Sequence, residues 1–324
     1  MPSSLLPDFP APTAPAGKPA GPSNLQQRIL YGVLGAILLL GSVWFSPWSF
    51  GLFFAAVQVI MLWEFYRMMQ KAGYRPAAVL GGAISLVLFG CIHFLNGVYH
   101  YSHTPRIDGT IYPLGEAGKW FEAVGTVQNV VLGLGLLLPV LLILREMYAW
   151  PREDKEFSPF SNIGVALLGL LYVSLPMSLL NVVAFSGDGT YDYRRVFALL
   201  FMVWCSDIGA YAAGKTFGRH KLAPKISPGK TWEGAVGGFL LTLAMGWVLG
   251  YLLPELSLTY RLVAAGAVAL FGPLGDLAES MLKRSVDVKD SGTIMPGHGG
   301  LLDRFDAFLF ILPVLALLQL LAGK

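Results

Sequence analysis

The feature that most constrains this chain is the recurrence of long apolar runs. Candidate spans fall at about 29–47, 50–68, 77–96, 126–145, 160–184, 194–214, 234–253, 258–282 and 302–322. A run of about 18 residues or more crosses the ~30 Å hydrocarbon core of a bilayer as a helix. No water is available there to satisfy backbone N–H and C=O groups, so each span must bond within itself. The expected fold is therefore an all-α polytopic integral membrane protein with about nine transmembrane helices. Composition agrees: the 324 residues are 55% hydrophobic and only 13% charged, and mean hydropathy is +0.59. Soluble domains carry roughly twice that charge.

The formal charge of +3 is too small to suggest nucleic acid as a partner. Cys91 and Cys205 both sit in apolar runs, match no metal-ligand spacing and read as small core residues. Residues 1–28 hold seven prolines and no hydrophobic period, the composition of a disordered tail. A cleaved signal peptide places its apolar core at the very start, whereas here the apolar run begins near Ile29 and reads as a retained span. The expected organisation is a tail over 1–28, N-terminal helices over 29–190, and a C-terminal membrane region over 191–324 with cytoplasmic loops at 215–233 and 283–301.

Orientation follows from basic residues. With a cytoplasmic N-terminus, 16 Lys and Arg fall on the cytoplasmic side and 6 on the other, Arg304 beside the last span being left aside. The expectation is N-terminus cytoplasmic and C-terminus on the opposite side. Short loops and this bias favour a bacterial inner membrane, with the active site facing the cytoplasm.

Two cytoplasmic segments carry the polar chemistry. The loop 215–233, KTFGRHKLAPKISPGKTWE, holds five Lys or Arg with hydroxyls and turn residues. Such a loop suits a polyphosphate, and it equally suits simple positive-inside topology or anionic headgroups. Its GKT is not a P-loop, because the GxxxxGK[ST] spacing is missing. The segment 283–306 has eight charged residues of 24 and runs straight into the last span.

Acids also lie within the spans: Asp207, Asp276, Asp303 and Asp306. Each ionised group at mid-bilayer costs ~2.5–3.5 kcal/mol, on the order of 10 kcal/mol together without compensation. Bound cations, a polar cavity or protonation must supply that compensation. Asp276, Glu279, Ser280 and Lys283 share one helical stripe; Asp303 with Asp306, and Asp207 with Tyr211, also share faces. Pro273, flanked by Gly272 and Gly275, should weaken or break its helix just before Asp276. Carboxylates from different helices beside basic loops suggest a hard cation such as Mg²⁺, which takes one or two carboxylates plus phosphates and water. His93, His100 and His103 fall at the opposite face and read as surface residues rather than ligands. Glu64, in MLWEFYRMMQK, is either a partner for a basic residue or a lining residue of the cavity.

The stretch SMLKRSVDVKDSGTIMPGHGGLLDRFD, Ser280 to Asp306, resembles the signature of phosphatidate cytidylyltransferases, the CDP-diacylglycerol synthases. WCSDIGAYAAGK, from Trp204, and PKISPGKTWEG, from Pro224, match that family's other motif region. The resemblance is strong over roughly residues 200–310. It implies transfer of a cytidylyl group from CTP to phosphatidic acid, dependent on Mg²⁺, with K⁺ as a further ion that could share the centre. It implies Asp276 and Asp303 as metal ligands. Asp207, Lys215, Lys283, Arg284, His298 and Arg304 would form the catalytic set, with His298 as a hydrogen-bond donor. Lys225, Ser227, Lys230, Thr231, Glu233 and Lys289 would bind substrate. Expected partners are CTP, phosphatidic acid and the bilayer, and a homodimer stays open. Two alternatives stand beside this reading: a cytidylyltransferase or kinase for another lipid, such as an ether lipid or polyprenol, and an ion-coupled transporter.

Overall fold

The computed structural model describes residues 24–98, 114–150, 158–186, 189–294 and 299–322. His100, His103 and His298, like most of the proline-rich tail, lie outside the described residues. The helices are α1 (Asn24–Phe45), α2 (Pro47–Lys71), α3 (Ala78–Val98), α4 (Leu114–Tyr148), α5 (Pro159–Ala184), α6 (Tyr193–Phe217), α7 (Trp232–Val248), α8 (Leu258–Ser285) and α9 (Leu302–Ala322). A two-stranded antiparallel hairpin, β1 (Lys221–Ala223) and β2 (Ser227–Thr231), is the only named sheet among the described residues. The protein is an all-α polytopic membrane protein. Among the described residues seven helices are long and apolar enough to cross a membrane, and the apolar parts of α1 and α7 are shorter.

Polar residues end the apolar runs where chain must turn. Ser46 and Ser49 form a reciprocal capping box at α2, with Pro47 in its first turn. Ser158, Asp192, Thr231 and Ser257 cap α5, α6, α7 and α8 by accepting a backbone N–H.

Hydrophobicity does not hold helices together in lipid, so close packing and interhelical hydrogen bonds must. Both devices are present. Gly209 of α6 faces Gly237 and Gly238 of α7 so closely that a Cβ on Gly209 would lie 2.7 Å from the Gly237 carbonyl oxygen. In the N-terminal half a buried polar ladder links three helices. Gln58 of α2 donates to the carbonyl and Oγ of Ser85 on α3 (3.0 and 2.9 Å), and Ser178 of α5 donates to Gln58 Oε1 at 3.0 Å. Ser174 donates to Ser85 Oγ at 2.8 Å, and Asn181 continues the ladder to His93 Nδ1, also at 2.8 Å. His93 is therefore packed between helices, its ring against Gly51 and stacked on Phe89, and is not the surface residue that its position suggested.

The second correction concerns Pro273. Helix α8 runs unbroken through it. A proline removes one N–H and crowds the preceding turn, but Gly272 and Gly275 let α9 press against this segment. Lys230 of the hairpin also donates to the Pro273 carbonyl at 3.2 Å. The contact at Gly275 sets the register of the two helices, because a Cβ there would sit 2.6 Å from the Asp306 carbonyl and 3.0 Å from Ala307 Cα. Gly275→Val should force α9 away and cost ~1–3 kcal/mol of overpacking strain. The expected result is a lowered Tm in detergent together with weakened Mn²⁺ binding by electron paramagnetic resonance; an unchanged Tm would show that the contact does not set the register.

Candidate active site

Helices α6, α8 and α9 and the hairpin surround a chamber of about 1280 Å³, closed on another side by α1 and α2. Its wall includes Asp207, Lys215, Lys230, Thr231, Asp276, Lys283, Asp303, Arg304 and Asp306, residues that the sequence singled out from three separate segments. On α6 the expected stripe is present: Lys215 Nζ lies 5.6 Å from the Tyr211 ring centroid and 3.5 Å from its hydroxyl, a turn beyond Asp207.

The floor is acidic. Carboxylate oxygens of Asp276, Glu279 and Asp306 lie within 4.8 Å of one another. Glu279 is fully buried, and neither of its oxygens has a hydrogen-bond partner among the described residues. Lys283 Nζ stands 2.5 Å from one of them as an ion pair without hydrogen-bond geometry. Lys230 Nζ makes a 2.5 Å ion pair with Asp276, whose other oxygen accepts from Ser280. A buried carboxylate with unfilled lone pairs is expensive to keep. Three convergent carboxylates without Cys or His are the donor set of a hard oxygen-loving cation. The residues present therefore fit a Mg²⁺-type ion.

Asp303 lies beside Glu279, shares Lys283 with it, and is also tied to a loop. Its Oδ1 accepts from Lys283 at 2.7 Å, while Oδ2 accepts from Ser291 N (3.0 Å), Ser291 Oγ (2.9 Å) and Gly300 N (2.8 Å). Gly299 adopts φ +87, and a Cβ there would fall 2.6 Å from Asp303 Oδ2, so only glycine fits this turn. Glu64 supports the same loop from α2. It is buried and accepts from Leu301 N (3.2 Å), Leu302 N (2.8 Å) and Ser291 Oγ (3.4 Å), at the positive N-terminal end of α9. Neither alternative for Glu64 describes it: it lines no chamber wall and pairs with no basic residue among the described residues, its partners being two backbone amides and the Ser291 hydroxyl.

The loop expected at 215–233 is shorter, since Lys215 to Phe217 end α6 and Trp232 and Glu233 begin α7; between them it folds as the hairpin, pairing Lys221 with Thr231 and Ala223 with Ser227. This aims Lys230 into the chamber and leaves Lys225 exposed at the turn. Glu233 faces the chain before β1, accepting from Arg219 N at 3.1 Å and His220 N at 3.2 Å and pairing with His220 Nδ1 at 2.6 Å. The His220 hydrogen bond, with those amides, holds the Glu233 carboxyl below the usual carboxylate range. Ser227, Glu233, Lys225, Arg284 and Lys289 do not line the chamber. Glu279 and Ser291 were absent from the expected site. Glu279 shared the Asp276 stripe, the one signal that could have found it; Ser291 lay unremarked inside the signature stretch.

A profile of the Cytidylyltransferase family matches residues 26–321. The chain belongs to that family. Among its relatives, a phosphatidate cytidylyltransferase of Bacillus subtilis is 33% identical over 294 residues, covering 90% of this chain and 96% of its own. One of Haemophilus influenzae is 32% identical, with 89% and 96% covered, and one of Staphylococcus aureus is 49% identical over 203 residues, covering 62% and 72%. Family membership and the chamber coincide: its polar wall is built from the stretches that resembled this family.

Proposed function

We infer that this protein transfers the cytidylyl group of CTP to phosphatidic acid, giving CDP-diacylglycerol and pyrophosphate. The observation that carries the reading is the chamber itself, where lysines and an arginine surround a carboxylate cluster in a chain of this family. An oxygen of the lipid phosphate attacks the α-phosphorus of CTP, and the bond to the bridging oxygen of the β-phosphate breaks. The lipid phosphate is a phosphomonoester with a second pKa near 6, so it is already anionic and needs no strong general base. The obstacle is repulsion between two anions, and positioning with electrostatics removes it.

In this reading Asp276, Glu279 and Asp306 hold Mg²⁺, with K⁺ as a further ion of the centre. The cation supplies charge neutralisation at the phosphates when bound. Lys215, Lys230 and Arg304 meet the triphosphate and the lipid phosphate from the chamber wall. Asp303, expected as a ligand, stands at the edge of that cluster beside Glu279 and would also hold Lys283 and the signature loop in place. Lys230 can exchange its Asp276 partner for a phosphate oxygen when nucleotide enters. The acyl chains would stay in the bilayer, and the excess of basic residues on that side supports a chamber facing the cytoplasm of a bacterial inner membrane.

Purified protein with labelled CTP, phosphatidic acid and Mg²⁺ should release pyrophosphate and form CDP-diacylglycerol, and EDTA should stop it. Turnover only with an ether-lipid or polyprenol acceptor would move the substrate; solute uptake without CTP turnover would favour the transporter. Lys230→Ala should raise KM for CTP, since a charge-assisted hydrogen bond is worth ~1.5–3 kcal/mol, or ~10–100-fold. Unchanged kcat and KM would remove Lys230 from the nucleotide site.

A further inference from the structure

A second cavity, of about 50 Å³, lies at the far end of the same helices. Arg261 precedes Asp276 by 15 residues on α8, so the two sites are roughly 22 Å apart at 1.5 Å rise per residue. Leu199, Met202, Leu249, Leu253 and Leu315 give it apolar walls, and Arg195 and Arg261 enter between them. Each guanidinium keeps at least one donor unused among the described residues. The Nε of each is buried without a hydrogen-bond partner among the described residues. Only 10% of the Arg195 side chain is exposed, and its nearest carboxylate oxygen, Asp192 Oδ2, stands 3.9 Å away. Asp192 is committed elsewhere: Arg194 binds both its oxygens, at 2.9 and 2.8 Å, and also reaches Glu255. Arg261 makes one long hydrogen bond, 3.4 Å to the Trp247 carbonyl, and has no carboxylate partner among the ion pairs of the described residues. Gly250 leaves the room that the Arg261 guanidinium occupies, since a side chain there would overlap it.

Two half-buried cations with idle donors inside oily walls are costly unless a ligand completes them. A guanidinium presents a planar fork that matches phosphate oxygens, and the space of ~50 Å³ is three or four water-sized volumes, enough for one phosphate group. Basic pockets between transmembrane helices on the cytoplasmic side take anionic lipid head groups, and the same chemistry is available at this end of the bundle. We propose that Arg195 and Arg261 form a second phosphate site, distinct from the catalytic chamber, that holds the head group of an anionic phospholipid of the opposite leaflet, whose acyl chains stay in the bilayer.

The test is native mass spectrometry of delipidated full-length protein titrated with dihexanoyl phosphatidylglycerol, dihexanoyl phosphatidylcholine or inorganic phosphate. Wild type and Lys230→Ala should bind phosphatidylglycerol saturably, at least tenfold more tightly than phosphatidylcholine or phosphate. Arg195→Gln/Arg261→Gln should lose at least tenfold of that affinity while CTP turnover stays within twofold. Arg261→Lys keeps the charge without the fork, and should lose several-fold; it decides the matter if the double variant is not folded. Inorganic phosphate binding as tightly as phosphatidylglycerol would leave a free-anion site and overturn the lipid assignment. Equal binding of phosphatidylcholine, affinity lost in Lys230→Ala, or affinity kept in the arginine variants would each overturn the proposal.

Discussion

Asp276→Asn will lower kcat by at least ~100-fold, the loss seen when one electrostatic contact to a developing charge is removed, and will leave the protein folded. The residue sits half-exposed on the chamber floor, so an isosteric amide opens no cavity. What it removes is one of three carboxylates converging within 4.8 Å, together with the 2.5 Å ion pair that steers Lys230. Mn²⁺ affinity should fall in parallel. The Tm in detergent should change little or rise, since one acid of a crowded group has gone. Glu255→Gln, at the opposite end of the bundle and paired with Arg194, is the matched control and should turn over normally. A variant that keeps wild-type kcat would take Asp276 out of the site.

Glu64→Ala should be the most damaging change outside the chamber. It strands the Leu301 and Leu302 amides beneath the signature loop, and each orphaned buried donor costs ~1–3 kcal/mol. With the lost side-chain volume the total is ~3–5 kcal/mol, the range of the severe single substitutions. The damage should be local first. Amide hydrogen exchange at 299–302 will quicken, and activity will fall because Asp303 and Asp306 start the helix that Glu64 anchors. Glu64→Gln keeps one acceptor and should fall between. Exchange rates at 299–302 that match wild type in the alanine variant would show that the loop holds without Glu64.

Local features were legible in the sequence, and contacts across the bundle were not. Long apolar runs predict helices because lipid leaves the backbone no other partner. The stripe of Asp276, Glu279, Ser280 and Lys283 needs only helical periodicity, and the structure keeps it. Asp303 and Asp306 show where periodicity stops being enough. Three residues make 300° of rotation, so the pair diverges by about 60°. At the rim of a narrow site that angle sends Asp306 toward Asp276, and Asp303 toward Lys283 and the loop. Glu64 meets amides 237 and 238 residues away, and no local pattern encodes such a contact. The same holds for Lys230 on Pro273 and for the Gly275 seam: each depends on which helices become neighbours. The unbroken α8 is a further case, since a proline's effect depends on what packs around it.

The ladder from Gln58 through Ser85 to Ser174, Ser178 and Asn181 has a consequence for biogenesis. Gln58 and Ser85 lie on successive helices and can satisfy each other as soon as that pair has left the ribosome. The remaining acceptor on Gln58 waits for Ser178, 120 residues later. At synthesis rates of about 5–20 residues per second, that wait lasts roughly 6–24 s. During it, an amide oxygen in the bilayer has no designated partner. Insertion of the fifth helix therefore acts as a latch on the first ones, and a chain that stalls before it would expose a polar group for quality control to recognise.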